Sequence, residues 1–147
     1  MSDERPDLAA MLHPLVRALI AMELPVLAEH EVSMWGYSVL TALDDTPVRT
    51  QAALADAIGA DKSRIIGTLD ELQDAGLIAR TPDPGDRRVR LLSITAKGRK
   101  VRRAVRKDIR AHENRLLAAI PVADRQAFLR ALQVLDDRRR GGDHDAG

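Results

Sequence analysis

Lys62, Ser63 and Arg64 run on directly from Asp61, and Gly67 and Thr68 lie about one helical turn further along. On a helix these residues share one short, polar, basic face. Such a face can approach the major groove of duplex DNA closely. There Arg or Lys reads guanine, and Ser or Thr meets a phosphate or a base edge. A merely solvated face would look the same, and these residues alone leave both readings open. A second cationic group, Arg87 and Arg88, follows Asp83-Pro84-Gly85-Asp86. Two arginines at the tip of an exposed hairpin repel each other, and Asp86 beside them can relieve that cost and orient one guanidinium. A planar guanidinium on a narrow ribbon suits the minor groove, where negative potential is strong. An ordinary salt-bridged turn is the competing reading, and it is the weaker one if a helix-turn-helix precedes the hairpin.

Residues 54–65 have the spacing of a helix-turn-helix. Ala55 stands four residues before Gly59, and Ile65 six after it. Steeply crossing helices need a small side chain at their contact, a residue tolerant of positive φ at the turn, and apolar residues pinning the second helix. Thr50 caps a predicted helix over 51–58. Asp61 caps the next, over 62–75, with its carboxylate accepting from first-turn N–H groups. Ile65, Ile66, Leu69 and Leu72 form the buried stripe of that helix, and Gly76 stops it as a left-handed cap. Strands are predicted over 77–81 and 89–94, with 82–88 as the turn.

The flanking segments read as helices. Residues 1–7 are polar and loose. From Leu8 the apolar positions Leu8, Met11, Leu12, Leu15, Val16, Leu19 and Ile20 fall on one helix face, with a kink or a late start expected from Pro14 and Pro25. Ser33 caps a helix over 34–43 whose Trp35, Val39, Leu40 and Leu43 face inward. Thr95 caps a fifth helix beginning near Ala96, with a stripe of Val101, Val105, Ile109, His112 and Leu116 and a strongly basic first half. Pro121 ends it. A sixth helix over 123–138 carries Phe128, Leu129, Leu132 and Leu135, and the Gly- and Asp-rich stretch 139–147 is predicted to be a disordered tail.

The whole chain carries a net charge of +1, but the charge is unevenly distributed. Between Asp61 and Arg110 fourteen Arg or Lys face seven Asp or Glu, a local excess of +7 that leaves −6 for the remainder. A basic surface on an acidic body follows. The sequence contains no cysteine, which excludes disulfides and thiol redox sensing. No run of about eighteen apolar residues and no signal-peptide pattern is read, so a cytoplasmic protein with no membrane partner is expected. The four histidines, at 13, 30, 112 and 144, are scattered, and no metal site or cofactor is expected. A phosphate-binding loop, a nucleophile elbow and a cysteine nucleophile are all absent from the sequence, so enzymatic activity is not expected.

With the hairpin in place, residues 8–138 resemble the MarR family of winged helix-turn-helix regulators. The resemblance is carried by Asp61-Lys62-Ser63-Arg64, Leu69-Asp70-Glu71-Leu72, Gly76-Leu77-Ile78, the tip Asp83-Pro84-Gly85-Asp86-Arg87-Arg88, and Leu91 to Gly98. It implies a mainly α fold with a small β-hairpin wing, in a single domain over 1–147. A winged helix-turn-helix lobe over 33–94 would bind double-stranded DNA, and helices over 8–30 and 96–138 would dimerise. The implied function is a sequence-specific transcriptional regulator, a repressor as most of the family are, bound as a homodimer to a pseudo-palindromic operator. DNA contacts are then expected from Lys62, Ser63, Arg64, Gly67, Thr68, Arg80, Asp86, Arg87, Arg88 and Arg90. Arg87 would enter the minor groove, and Arg88 would be held by Asp86 or lie on phosphate. Family members often release DNA on binding a small phenolic or lipophilic effector. His13, Met34, Trp35 and Tyr37 are the candidate lining residues here, although Trp35 and Met34 also suit a plain core role. The alternative function is a winged-helix module that binds protein without specific DNA binding. Acidic replacements on the recognition helix and an uncharged wing would mark that module, and this sequence has the reverse.

Overall fold

Two side-chain caps fix where the central helices begin. Ser33 Oγ accepts from the Gly36 N–H at 3.0 Å, and Thr50 Oγ1 from the Ala53 N–H at 2.9 Å. The computed structural model describes residues 4–44, 46–48 and 50–145. In chain order they form α1 (Leu8–Glu29), α2 (Met34–Leu43), α3 (Gln51–Ile58), α4 (Lys62–Asp74), β1 (Ile78–Asp83), β2 (Asp86–Ile94), α5 (Ala96–Leu117) and α6 (Val122–Asp145). This is the expected mainly α chain with one antiparallel hairpin. Expectations for residues 1–3, 146 and 147 lie outside the described residues.

Helices α2, α3 and α4 and the hairpin converge on one core. Val39, Leu40, Leu43, Leu54, Ile65, Leu69, Leu92 and Ile94 are its buried members. Each fully buried Leu or Ile of this kind contributes about 1.5–3 kcal/mol. Ala55 is buried where α3 meets α4, and Gly59 takes φ +69° at the turn between them, as the spacing requires. Gly76 follows α4 at φ +75°. Thr95 ties the hairpin to α5 with both capacities of its hydroxyl. It donates to the Gly76 carbonyl at 2.7 Å and accepts from the Gly98 N–H at 3.0 Å. Gly98 packs so tightly that a Cβ there would overlap the Leu77 carbonyl oxygen.

A smaller cluster joins Val26 and Leu27 of α1 to Val105 and Ile109 of α5, with Met34 and Tyr37 packed against it. Two polar ties reinforce it. His30 Nε2 lies 2.9 Å from Asp108 Oδ2, and Arg102 donates to Asp44 Oδ2 at 3.0 Å. Arg102 belongs to the basic run of α5, yet its side chain is only 12% exposed. By contact the chain divides into Met1–Ile109 and Arg110–Gly147, a boundary that falls within α5.

Several expectations need correction. α1 runs unbroken through Pro14 and Pro25. The carbonyls these prolines leave without a donor belong to Ala10 and Ala21, which are exposed and open to water. α1 is also long and apolar enough, at a mean hydropathy of 1.5, to cross a membrane by length and composition. Arg17 and Glu23 interrupt the stretch, so it contains no unbroken run of about eighteen apolar residues. Asp61 sits at the N-cap of α4 but makes no side-chain cap bond, because the Arg64 N–H turns to the Asp61 backbone carbonyl at 3.1 Å. α6 continues to Asp145, through most of the expected tail. Asp136 braces that extension by pairing with Arg139 at 2.8 Å and Arg140 at 3.1 Å, one turn on.

Candidate nucleic-acid interface

The hairpin departs most from expectation at its tip. β1 and β2 pair in one register from Ile78↔Ile94 to Pro82↔Arg90, and the next pair is Asp83↔Asp86. The reversal therefore needs only Pro84 and Gly85, not residues 82–88. Asp83 is buried, and its carboxylate accepts from the Gly85 N–H at 2.8 Å, which tightens the turn. The register shift leaves Arg87, Arg88 and Val89 without ladder partners on β1. A bulge of this kind bends its strand and re-aims side chains. Here it presents two arginines to solvent.

Those arginines differ. Asp86 Oδ1 accepts from the Arg88 backbone N–H at 3.1 Å and lies 3.4 Å from Arg88 Nε. The Arg88 side chain remains 91% exposed, so the pair fixes direction and adds little stability. Arg87 is exposed, and none of the described residues pairs with it. Arg90 is also exposed, opposite Pro82. A bridge between Val48 and Leu92, with N–H to carbonyl bonds of 3.0 and 2.8 Å, fastens β2 to the loop before α3. Nothing in the local sequence around Val48 signals that bridge, since it joins positions far apart in the chain.

At the head of α4, Lys62, Ser63, Arg64 and Gly67 are exposed and Thr68 is half-buried. A Cβ at Gly67 would meet nothing within 4 Å, so the backbone there stands bare. Thr68 Oγ1 donates back to the Arg64 carbonyl at 3.4 Å. Arg64 has a partner no pattern signals: its guanidinium carbon lies 6.0 Å from the centre of the Trp35 ring, at the outer range of a cation–π contact. Ile66 is 49% exposed and not in the buried stripe. It follows Ile65 by about 100° around the helix, which carries it off the core face.

The remaining candidates divide. Arg80 is half-buried and lies 3.4 Å from Asp70, tying β1 to α4. Met34 and Tyr37 meet at the smaller cluster between α1, α2 and α5. Trp35 lies beside Arg64, and His13 is exposed on α1. The four effector candidates are therefore not shown as one set. Among the described residues no group of three or more His, Asp or Glu is placed to hold a metal ion.

The sequence and fold of this chain match known proteins. A model of the MarR family matches residues 33–89. A transcriptional repressor, CouR, solved bound to a 23-mer DNA duplex, aligns at 30% identity and a TM-score of 0.77, covering 88% of this chain and 92% of that one. The chain belongs to the MarR family. CouR from Rhodococcus jostii RHA1, bound to p-coumaroyl-CoA, aligns at 28% identity with a TM-score of 0.73 over 88% of this chain and 91% of that one. The transcriptional regulator HosA of Escherichia coli O111:H- is 33% identical over 88 residues, 60% of this chain and 55% of HosA. The chain thus matches about half the length of that curated relative. This MarR-family chain is similar to transcriptional regulators, not to enzymes.

Proposed function

We propose that this chain is a sequence-specific DNA-binding transcriptional regulator, a cytoplasmic repressor that binds a pseudo-palindromic operator as a homodimer. The observation that carries the reading is the pairing of two cationic groups in one lobe. Lys62, Ser63 and Arg64 stand exposed at the head of α4, and Arg87 and Arg88 stand exposed on the bulged hairpin. In this reading α4 enters the major groove and Arg87, free of any partner among the described residues, enters the minor groove. Arg88 is aimed at phosphate by Asp86, and Arg90 adds charge along the backbone. The similarity to CouR, a transcriptional repressor solved bound to a 23-mer DNA duplex, supports DNA binding.

Dimerisation belongs to the same proposal. Leu8, Met11, Leu12 and Val16 of α1, and Phe128, Leu129, Leu132 and Leu135 of α6, are exposed large apolar residues. An exposed apolar stripe on a helix face marks association. Helices over 8–30 and 96–138 of two subunits would bury it, and a two-fold dimer presents two copies of α4 to two half-sites. A small lipophilic or phenolic effector would bind beside Met34 and Tyr37 and lower DNA affinity through coupling between the two sites. CouR bound to p-coumaroyl-CoA supports an effector of that general class.

A titration against DNA from upstream of the protein's own gene, beside a scrambled duplex at several salt concentrations, tests the proposal. Saturable binding of one dimer, preferring the upstream fragment and weakening by about 0.9 log units per log unit of salt for each phosphate neutralised, is expected. Arg64→Ala should lose about 1–3 kcal/mol of discrimination if it reads a base. Absence of binding even at low salt would overturn the reading.

A further inference from the structure

Ile66 is the exposed large apolar residue of α4, and its neighbours are the residues that would face DNA. Ser63 lies three positions before it and Lys62 four, so all three share one side of the helix. Helical side chains lean toward the N-terminus, and a residue covers the surface over the turn before its own Cα. The branched side chain of Ile66 therefore leans over Lys62 and Ser63, toward the end of α4 that would enter the groove. Gly67 beside it carries no side chain and has open space around it, so nothing from that position screens the Ile66 methyl groups. Lys62, Ser63 and Arg64 supply hydrogen-bond donors or positive charge. Ile66 supplies neither.

The major groove offers one apolar feature to such a group, the C5-methyl of thymine. A β-branched side chain on a helix is held close to one χ1 rotamer, so little freedom is lost when it packs. Surface Ile residues standing alone are common. What distinguishes this one is its place on the basic face at the head of α4. We propose that Ile66 is a specificity-determining residue that packs against a thymine methyl in each half-site. The inference rests on the DNA-binding reading above.

The test uses the full chain and a duplex it selects from a random library. Each thymine of that duplex is replaced in turn by uracil, which lacks only the methyl group, and both wild type and Ile66→Ala are titrated. At one position per half-site, uracil should weaken wild-type binding about threefold to tenfold, as expected for one buried methyl. Ile66→Ala should bind the thymine duplex more weakly by a similar factor and should not respond to uracil there. That non-additivity is the signature of direct contact. Equal uracil effects in both proteins would overturn the inference, as would a selected duplex in which no thymine methyl matters. Either outcome would leave DNA binding itself standing. Failure to enrich any duplex would overturn the DNA-binding reading and this inference with it.

Discussion

The lobe from α2 to β2 and the helix α6 carry similar apolar spacing in sequence and meet opposite fates. In the lobe, Leu40, Leu54, Ile65 and Leu69 are fully buried within one chain. In α6, Phe128, Leu129, Leu132 and Leu135 stay exposed, and none of its described residues is buried. Periodicity therefore identifies a face that wants burial without saying what will bury it. The lobe has enough elements around one centre to satisfy itself. For α6 the stabilising surface must come from elsewhere, and the proposed second subunit is one such source.

A matched pair of truncations can break this comparison. Leu69→Ala should cost about 2–5 kcal/mol of stability, because its site is enclosed by three helices and a hairpin. Leu132→Ala removes the same atoms from an exposed face. At dilutions that separate subunits it should change stability by no more than about 0.5 kcal/mol. Under associating conditions it should weaken self-association by more than about tenfold, if the proposed interface covers it. Denaturant unfolding at two protein concentrations, with sedimentation to follow assembly, measures both. Equal costs for the two variants in the dilute protein would mean that α6 is buried within its own chain.

A second variant sharpens the account of the lobe. Gly98→Ala would place a methyl group on the Leu77 carbonyl oxygen, and the Ile94 side chain is the next atom it would meet, at 2.8 Å. Ordinary helix propensity favours Ala over Gly by about 0.8–1.0 kcal/mol. Overlap with backbone should outweigh that gain, for a net loss of about 1–3 kcal/mol by denaturant unfolding. A stabilised variant would show that α5 can slide relative to the hairpin.

The same contrast explains what could be read beforehand. α2 and α3 begin at the expected residues because Ser33 and Thr50 act locally, each on an N–H three positions ahead. Gly59, Ala55 and Ile65 were likewise legible, since a tight turn constrains near neighbours. The hairpin tip was not. Its register depends on the buried Asp83 and the three-residue bulge, and Asp-Pro-Gly-Asp spacing suits several turn lengths. The place of Ile66 is not legible either, because adjacent isoleucines both satisfy an apolar pattern, and only packing decides that Ile65 faces inward. The contact of Trp35 with Arg64 joins α2 to α4, so neither local sequence contains it.

The end of α6 gives the smallest expected effect and tests why the helix outruns its sequence-based boundary. Hydrogen bonding from Arg139 is the main influence holding the Asp136 carboxyl below its usual range, with Arg140 adding charge attraction. A folded-state value below the unfolded one means that the ionised carboxylate favours the helix. That contribution is present above about pH 4 and is lost as pH falls through the depressed value. Amide hydrogen exchange over the last turns of α6 should therefore quicken on acidification, after correction for intrinsic rates. Asp136→Asn should bring the same quickening at neutral pH and remove the acid response there. If the variant keeps wild-type protection, the two arginine pairs do not sustain the extension, and Gly141 and Gly142 are held helical by something other than Asp136.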